Sequence, residues 1–181
     1  MISCPCPLYS RVANVGQGDK RVSECLTYTR ESWLGLILRL ANPRCPRRNF
    51  IETLSGIRFV TFNYDRYLEI LLFHYAKHTL GFAPDEAARL VSKVPIYHVY
   101  GSLGPLPEMN LGIGIPFGGE GAYAVPASQN IRTFTEDVDS HFAATVRSIM
   151  AEPGIILFLG FGFHQRNLDL LFGENGELAE G

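Results

Sequence analysis

Three short apolar runs limit what this chain can fold into. They are Ile57 to Phe62, Pro95 to Tyr100 and Ile155 to Leu159. Each is rich in β-branched or aromatic residues. The first follows the breaker Ser55-Gly56 and the third follows Pro153-Gly154. Runs this compact, bounded this way, read as buried strands. Amphipathic patterns lie between them, giving the order strand, helix, helix, strand, loop, helix, strand, helix. Apolar strands alternating with such helices imply a parallel sheet covered on both faces, a three-layer α/β arrangement.

The helices have separate local causes. From Leu26 to Leu40 the residues Trp33, Leu34, Ile37, Leu38 and Leu40 fall largely on one face, and Asn42-Pro43 stops the pattern. Arg44, Arg47 and Arg48 then read as a short, solvated basic loop. Asp65 can cap the helix carrying Leu68, Leu71, Leu72 and Tyr75. Pro84-Asp85-Glu86 suits a first turn. Thr133-Phe134-Thr135-Glu136 has the form of a capping box. The helix it opens runs to about Ala151, with Val138, Phe142, Thr145, Val146 and Ile149 facing inward. Asn167 to Phe172 forms a short last helix. Residues 104–127, rich in glycine and proline, read as a long loop or small irregular subdomain.

Composition narrows the function classes. The chain has 181 residues, enough for one domain with its own core, and a formal charge of -2. No global positive field draws it to nucleic acid or an anionic membrane. The apolar runs are far shorter than a bilayer span. Met1 to Tyr9 lacks a basic start, and Pro5 and Pro7 interrupt it, so no signal peptide is expected and the expected compartment is cytoplasmic. The four cysteines, Cys4, Cys6, Cys25 and Cys45, form no C-x-x-C pair and read as incidental thiols. Gly16-Gln17-Gly18 lacks a preceding strand and a third glycine, and reads as loop.

The three strands end in small or polar residues: Asn63 to Asp65, Tyr100 to Ser102, and Gly160 to Gly162. In open α/β sheets, ligands bind outside the carboxyl ends of the strands. Glycine there lets a ligand approach the backbone, and helix N-termini favour phosphate. The three motifs can therefore converge on one crevice for a nucleotide-type ligand.

The motifs Thr61-Phe62-Asn63-Tyr64-Asp65, Tyr97-His98-Val99-Tyr100-Gly101-Ser102 and Phe158-Leu159-Gly160-Phe161-Gly162-Phe163, with Asn167-Leu168-Asp169, resemble the ordered signature of sirtuin-like domains. The closer likeness is to the bacterial branch found in antiphage defence and signalling proteins, which cleave or bind NAD. It covers roughly residues 50–172, which leaves residues 1–49 as an irregular segment plus helix and 50–181 as the sirtuin-like domain. The resemblance implies a Rossmann-like fold, NAD as ligand or substrate, and no metal. It places Asn63 at the nicotinamide ribose, orienting a water or acceptor. Asp65 would shape the nicotinamide pocket. Gly101 and Ser102 match the turn after the catalytic histidine, and Gly160 and Gly162 match the turn at the adenosine half.

Two departures accompany the likeness. Tyr100 stands where the family has its catalytic histidine, and His98 lies two residues earlier, about 6–7 Å along a strand and on the same face. Residues 1–24 hold neither the family's opening strand nor its glycine-rich phosphate loop. The zinc ribbon of sirtuin deacetylases is absent too, so protein deacetylation is not expected. The expected function is NAD binding with nicotinamide-releasing hydrolysis, in which His98 or Tyr100 takes a proton or orients the ribose. The alternative is a non-catalytic nucleotide-sensing or interaction module. Expected partners are NAD or a related nucleotide, and other domains or further copies of the chain, without nucleic acid or membrane. His74 and His78, four apart on a helix, lack a third ligand and read as a packed or solvated pair. His164 and Arg166 read either as a phosphate contact or as a polar turn, and Asp137 and Asp139 suit a helix dipole.

Overall fold

The computed structural model describes residues 33–40, 46–117, 121–133, 138–152 and 154–173. All four cysteines, Gly16-Gln17-Gly18, Arg44 and Asp137 lie outside them. The elements run α1 (Trp33–Leu40), α2 (Pro46–Ser55), β1 (Phe59–Thr61), α3 (Tyr67–His74), α4 (Pro84–Val91), β2 (Ile96–His98), α5 (Ala124–Ser128), α6 (Ser140–Ala151) and α7 (Gln165–Phe172). A π-helical turn, Tyr75–Thr79, extends α3.

The two strands are parallel, with Phe59 opposite Ile96, Val60 opposite Tyr97 and Thr61 opposite His98. Alternation along the strands sends successive side chains to opposite faces. Phe59 and Ile96 pack against a core built from Leu34, Leu38, Phe50, Ile70, Leu72 and their neighbours on α1 to α4. Val60 packs against a second core of Val99, Tyr100, Val146, Met150, Leu170 and Leu171. Tyr97 turns to that side as well, its ring 6.5 Å from Phe142. The fold is thus α/β with a small parallel sheet and helices. The described residues supply two strands, fewer than the expected three-layer sheet requires.

Several local expectations need correction. Of the helix expected over Leu26 to Leu40, the described part is Trp33–Leu40. Arg47 and Arg48 belong to α2, not to a loop. Proline suits its first position because the missing N–H would have no helical partner there. The capping box at Thr133 does not open α6. Asp139 does, its carboxylate accepting from the backbone N–H of His141 and of Phe142 at 3.0 Å. That satisfies two of the free donors of the first turn. The helix α7 starts two residues early, at Gln165. Asp65 serves α3 from one residue before its cap position, accepting from Tyr67 N–H at 3.0 Å.

The largest correction concerns Ile155 to Leu159. The run forms no strand, and Ile155 and Leu157 are 91% and 66% exposed. A strand needs a neighbour to pair its backbone, and no described segment lies beside it. The segment 104–127, expected as a long loop or small irregular subdomain, carries 3-10 turns at Pro107–Met109 and Gly121–Tyr123 and the short α5. It is tied down by Arg66, whose side chain donates to the carbonyls of Gly104 (2.9 Å), Pro105 (3.2 Å) and Ile115 (2.6 Å). Arg66 is 3% exposed. Burying a cation is costly unless acceptors surround it, so those carbonyls and Arg66 hold one another in place.

Candidate functional site

Beyond β1 the chain turns through Asn63 and Asp65, and two adjoining cavities open between β1 and the segment 154–161. One, of about 340 Å³, is lined by Thr61, Asn63, Glu152, Leu159 and Gly160 among others. The other, of about 530 Å³, is lined by Asn63, Asp65, His98, Leu34 and Leu157 among others. Volumes of this size suit small-molecule sites. The larger cavity has mostly apolar walls and a polar mouth formed by Asn63, Asp65 and His98, whereas the smaller one also carries Arg58 and Glu152. The mouth lies at the carboxyl ends of both strands, where α/β sheets bind ligands. Three of the expected site residues therefore converge, and Gly160 joins Asn63. Gly160 has φ +63° with no other atom near its Cα face, so the backbone there is open to a ligand.

His98 is held from both sides. Its Nδ1 lies 2.9 Å from the backbone carbonyl of Asn63, which can only accept, so Nδ1 carries the proton. Its Nε2 lies 2.7 Å from Glu69 Oε1. Burial acts against the charged ring. The hydrogen bonds to Glu69 and Asn63 and the charges of Glu69 and Asp65 outweigh it, and the His98 pKa is raised above its ordinary 6.5. Both ring nitrogens thus face acceptors, the Asn63 carbonyl and the Glu69 carboxylate, an arrangement that favours the protonated ring. The second Glu69 oxygen, Oε2, is buried without a hydrogen-bond partner among the described residues.

Tyr100 belongs elsewhere. It is 4% exposed and its hydroxyl donates to Asn167 Oδ1 at 2.8 Å. Its ring meets Phe62 edge-on at 5.8 Å. The strand ends at His98, so alternation stops and Val99 and Tyr100 both turn into the second core. The expectation that His98 and Tyr100 share a face therefore fails. Burial raises the Tyr100 pKa above 10.0; nearby Arg166 works the other way and Tyr64 adds to the rise. The phenol stays protonated at neutral pH.

Gly101 has φ +80°, and a Cβ there would overlap the backbone of Asn130. Its partner across an isolated antiparallel bridge is Ile131. Ser102 lines a third, open cavity with Arg66, Glu69 and Asn130, away from Asn63 and Gly160. Gly162 is exposed and lines none of these cavities. The expected ligand set thus divides: Asp65 and Gly160 adjoin Asn63, whereas Gly101, Ser102 and Gly162 do not.

A family model for the SIR2-like domain matches residues 57–178, well over half of the chain. The chain belongs to the SIR2-like domain family. Comparison with curated proteins and with solved structures gives no match. SIR2-like domains generally use NAD, which gives this one an NAD-related function in general terms.

Within this SIR2-like domain the residues matched begin just before β1 and take in all three motifs. Among the described residues no group of three metal-ligating side chains occurs. His74 and His78 stack with ring centroids 5.5 Å apart. No described helix is long and apolar enough to cross a membrane. Two residues of consequence, Arg66 and Glu69, escaped the sequence reading. Their partners lie 38 and 29 positions further along the chain, and no local pattern announces a contact at that separation.

Proposed function

We propose that this SIR2-like domain binds NAD with the nicotinamide ribose at the Asn63, Asp65 and His98 mouth and the adenosine side toward Gly160. The observation that carries the reading is that two adjoining cavities share Asn63, one lined also by Asp65 and His98 and the other by Gly160, from motifs up to 97 positions apart. The fit is good at the ribose end. Asn63 is exposed and its amide is free to meet a ribose hydroxyl or a water, while Asp65 supplies a carboxylate beside a positively charged nicotinamide. The open Gly160 turn permits close approach of a backbone.

Bound NAD supplies a glycosidic bond whose electron pair can leave with nicotinamide, while water adds to the ribose and releases its proton to solvent. For that hydrolysis Asn63 positions the water, and His98, held between the Asn63 carbonyl and Glu69, braces the Asn63 turn instead of taking a proton. Tyr100 acts as a hydrogen-bond donor in the core. The defence or signalling setting of the branch that the motifs resemble suits such an NAD-consuming domain.

A second reading rests on a specific observation. Both candidate bases are occupied: His98 faces two acceptors, and the Tyr100 phenol is protonated. On that reading the domain binds NAD and does not turn it over. Proton NMR of NAD mixed with the purified chain separates the two. Free nicotinamide growing over hours supports hydrolysis, and line broadening without cleavage supports the binder. An Asn63→Ala variant that binds and cleaves as the parent does removes Asn63 from either role.

A further inference from the structure

The direction of the Asn63 side chain is set by the two peptide planes that flank its Cα. Each plane is rigid, so the residue can turn only about φ and ψ. Both planes are tied to a side chain. Asn63 N–H donates to Thr61 Oγ1 at 3.1 Å. The Asn63 carbonyl lies 2.9 Å from His98 Nδ1. Thr61 and His98 are partners across the two strands, so both ties come from the end of one ladder. The Asn63 side chain is left to line both cavities.

His98 donates to Asn63 only while a proton sits on Nδ1. A neutral histidine ring has two positions for its one proton. Glu69 removes the choice. Its Oε1 lies 2.7 Å from Nε2, so the carboxyl group serves Nε2. Whether the proton between those two atoms rests on Nε2 or on Oε1, Nδ1 keeps its own. Glu69 is also held firmly. It lies in the first turn of α3, where the helix dipole favours a carboxylate. The following Ile70, Leu71 and Leu72 are buried and lock that helix into the core.

We propose that Glu69 is a positioning residue of the NAD site: through His98 it fixes the Asn63 carbonyl, and with it the direction in which the Asn63 amide meets the ligand. This rests on the reading that Asn63 lies at the nicotinamide ribose. Glu69 lines neither cavity that Asn63 lines, so its effect on a ligand there travels through His98. Its Oε2 is buried without a partner among the described residues. Such an orphan works against stability, and helix packing alone gives no reason for a carboxylate at this place.

NAD affinity by NMR titration and the Asn63 and Tyr64 backbone signals are the two readouts. Glu69→Asp keeps the charge on α3 and shortens its reach. It should weaken NAD about tenfold, within the range of coupling inside one hydrogen-bond network, and His98→Ala should do the same. Glu69→Gln should hold affinity within about threefold of the parent, since an amide can donate to a bare Nε2 or accept from a protonated one. A role in stability alone gives the reverse order, because Glu69→Gln removes the charge and Glu69→Asp keeps it. In the His98→Ala background, Glu69→Asp should add no further loss. Additive losses, or a Glu69→Asp chain that binds as the parent does, overturn the proposal. If the unaltered chain does not bind NAD, the functional reading falls and the backbone signals decide. Glu69→Asp and His98→Ala must then displace the Asn63 and Tyr64 signals alike, with Glu69→Gln leaving them near the parent's; signals unmoved by Glu69→Asp overturn the positioning role. If Glu69→Asp unfolds the chain, the His98 ring of the unaltered protein decides. An Nδ1–H proton with an NOE to the Asn63 turn supports the proposal, and a ring protonated at Nε2 alone overturns it.

Discussion

Replacing Glu69 with glutamine changes one atom and tests the logic of the His98 site. The carboxylate 2.7 Å from His98 Nε2 becomes a neutral amide. Both side chains are largely buried, at 11% and 17% exposure, so solvent screens the pair weakly. A hydrogen bond between charged partners of this kind contributes about 1.5–3 kcal/mol. The sign with pH follows from the raised His98 pKa. A group whose folded pKa exceeds its unfolded value stabilises the fold fully below about 6.5. That contribution fades as the pH climbs through the raised value. The parent should therefore lose stability from this site between mildly acid and alkaline pH. Glu69→Gln should cost about 1.5–3 kcal/mol at pH 6 and much less at pH 9. The assay is urea unfolding at both pH values, alongside an NMR titration of the His98 ring. In the variant the ring should titrate at lower pH, because burial remains and the carboxylate is gone. A parent His98 titrating below 6.5, or a variant equally destabilised at both pH values, refutes the reasoning.

Two further substitutions probe the frame around the site. Arg66→Ala should cost about 3 kcal/mol or more in chemical denaturation and open the segment from Gly104 to Phe117 to protease; Arg66→Lys should not restore it, since an ammonium cannot span several carbonyls at once. Gly101→Ala should destabilise far more than Gly160→Ala, although both glycines have positive φ. The first substitution adds a clash with Asn130; the second adds only backbone strain of about 1 kcal/mol, measurable as a small drop in Tm.

Much of the framework was legible in the residues. The apolar runs at Ile57 and Pro95 became β1 and β2, the leucines after Asp65 became α3, and Pro84-Asp85-Glu86 opens α4. The motif at Asn63 to Asp65 lies at a strand end, as its turn-forming residues suggest. These features depend on neighbours within a few positions, and periodicity reports them directly. The helix α2 was missed because Pro46-Arg47-Arg48-Asn49 presents no apolar stripe at its start; it is held by the burial of Phe50 and Leu54.

The sequence by itself therefore determined the α/β class, the two parallel strands and the family signature, because each is written in local pattern. Only the tertiary structure decided the state of the site. It set His98 between Asn63 and Glu69, turned Tyr100 into the opposite core, and fixed the loop after Gly104 on Arg66. It also left Ile155 to Leu159 without a described neighbour, although the run itself reads as a strand. In each case the deciding contact joins residues about 30 or more positions apart. A backbone edge or an ionisable ring acquires its character from the partner that folding brings to it.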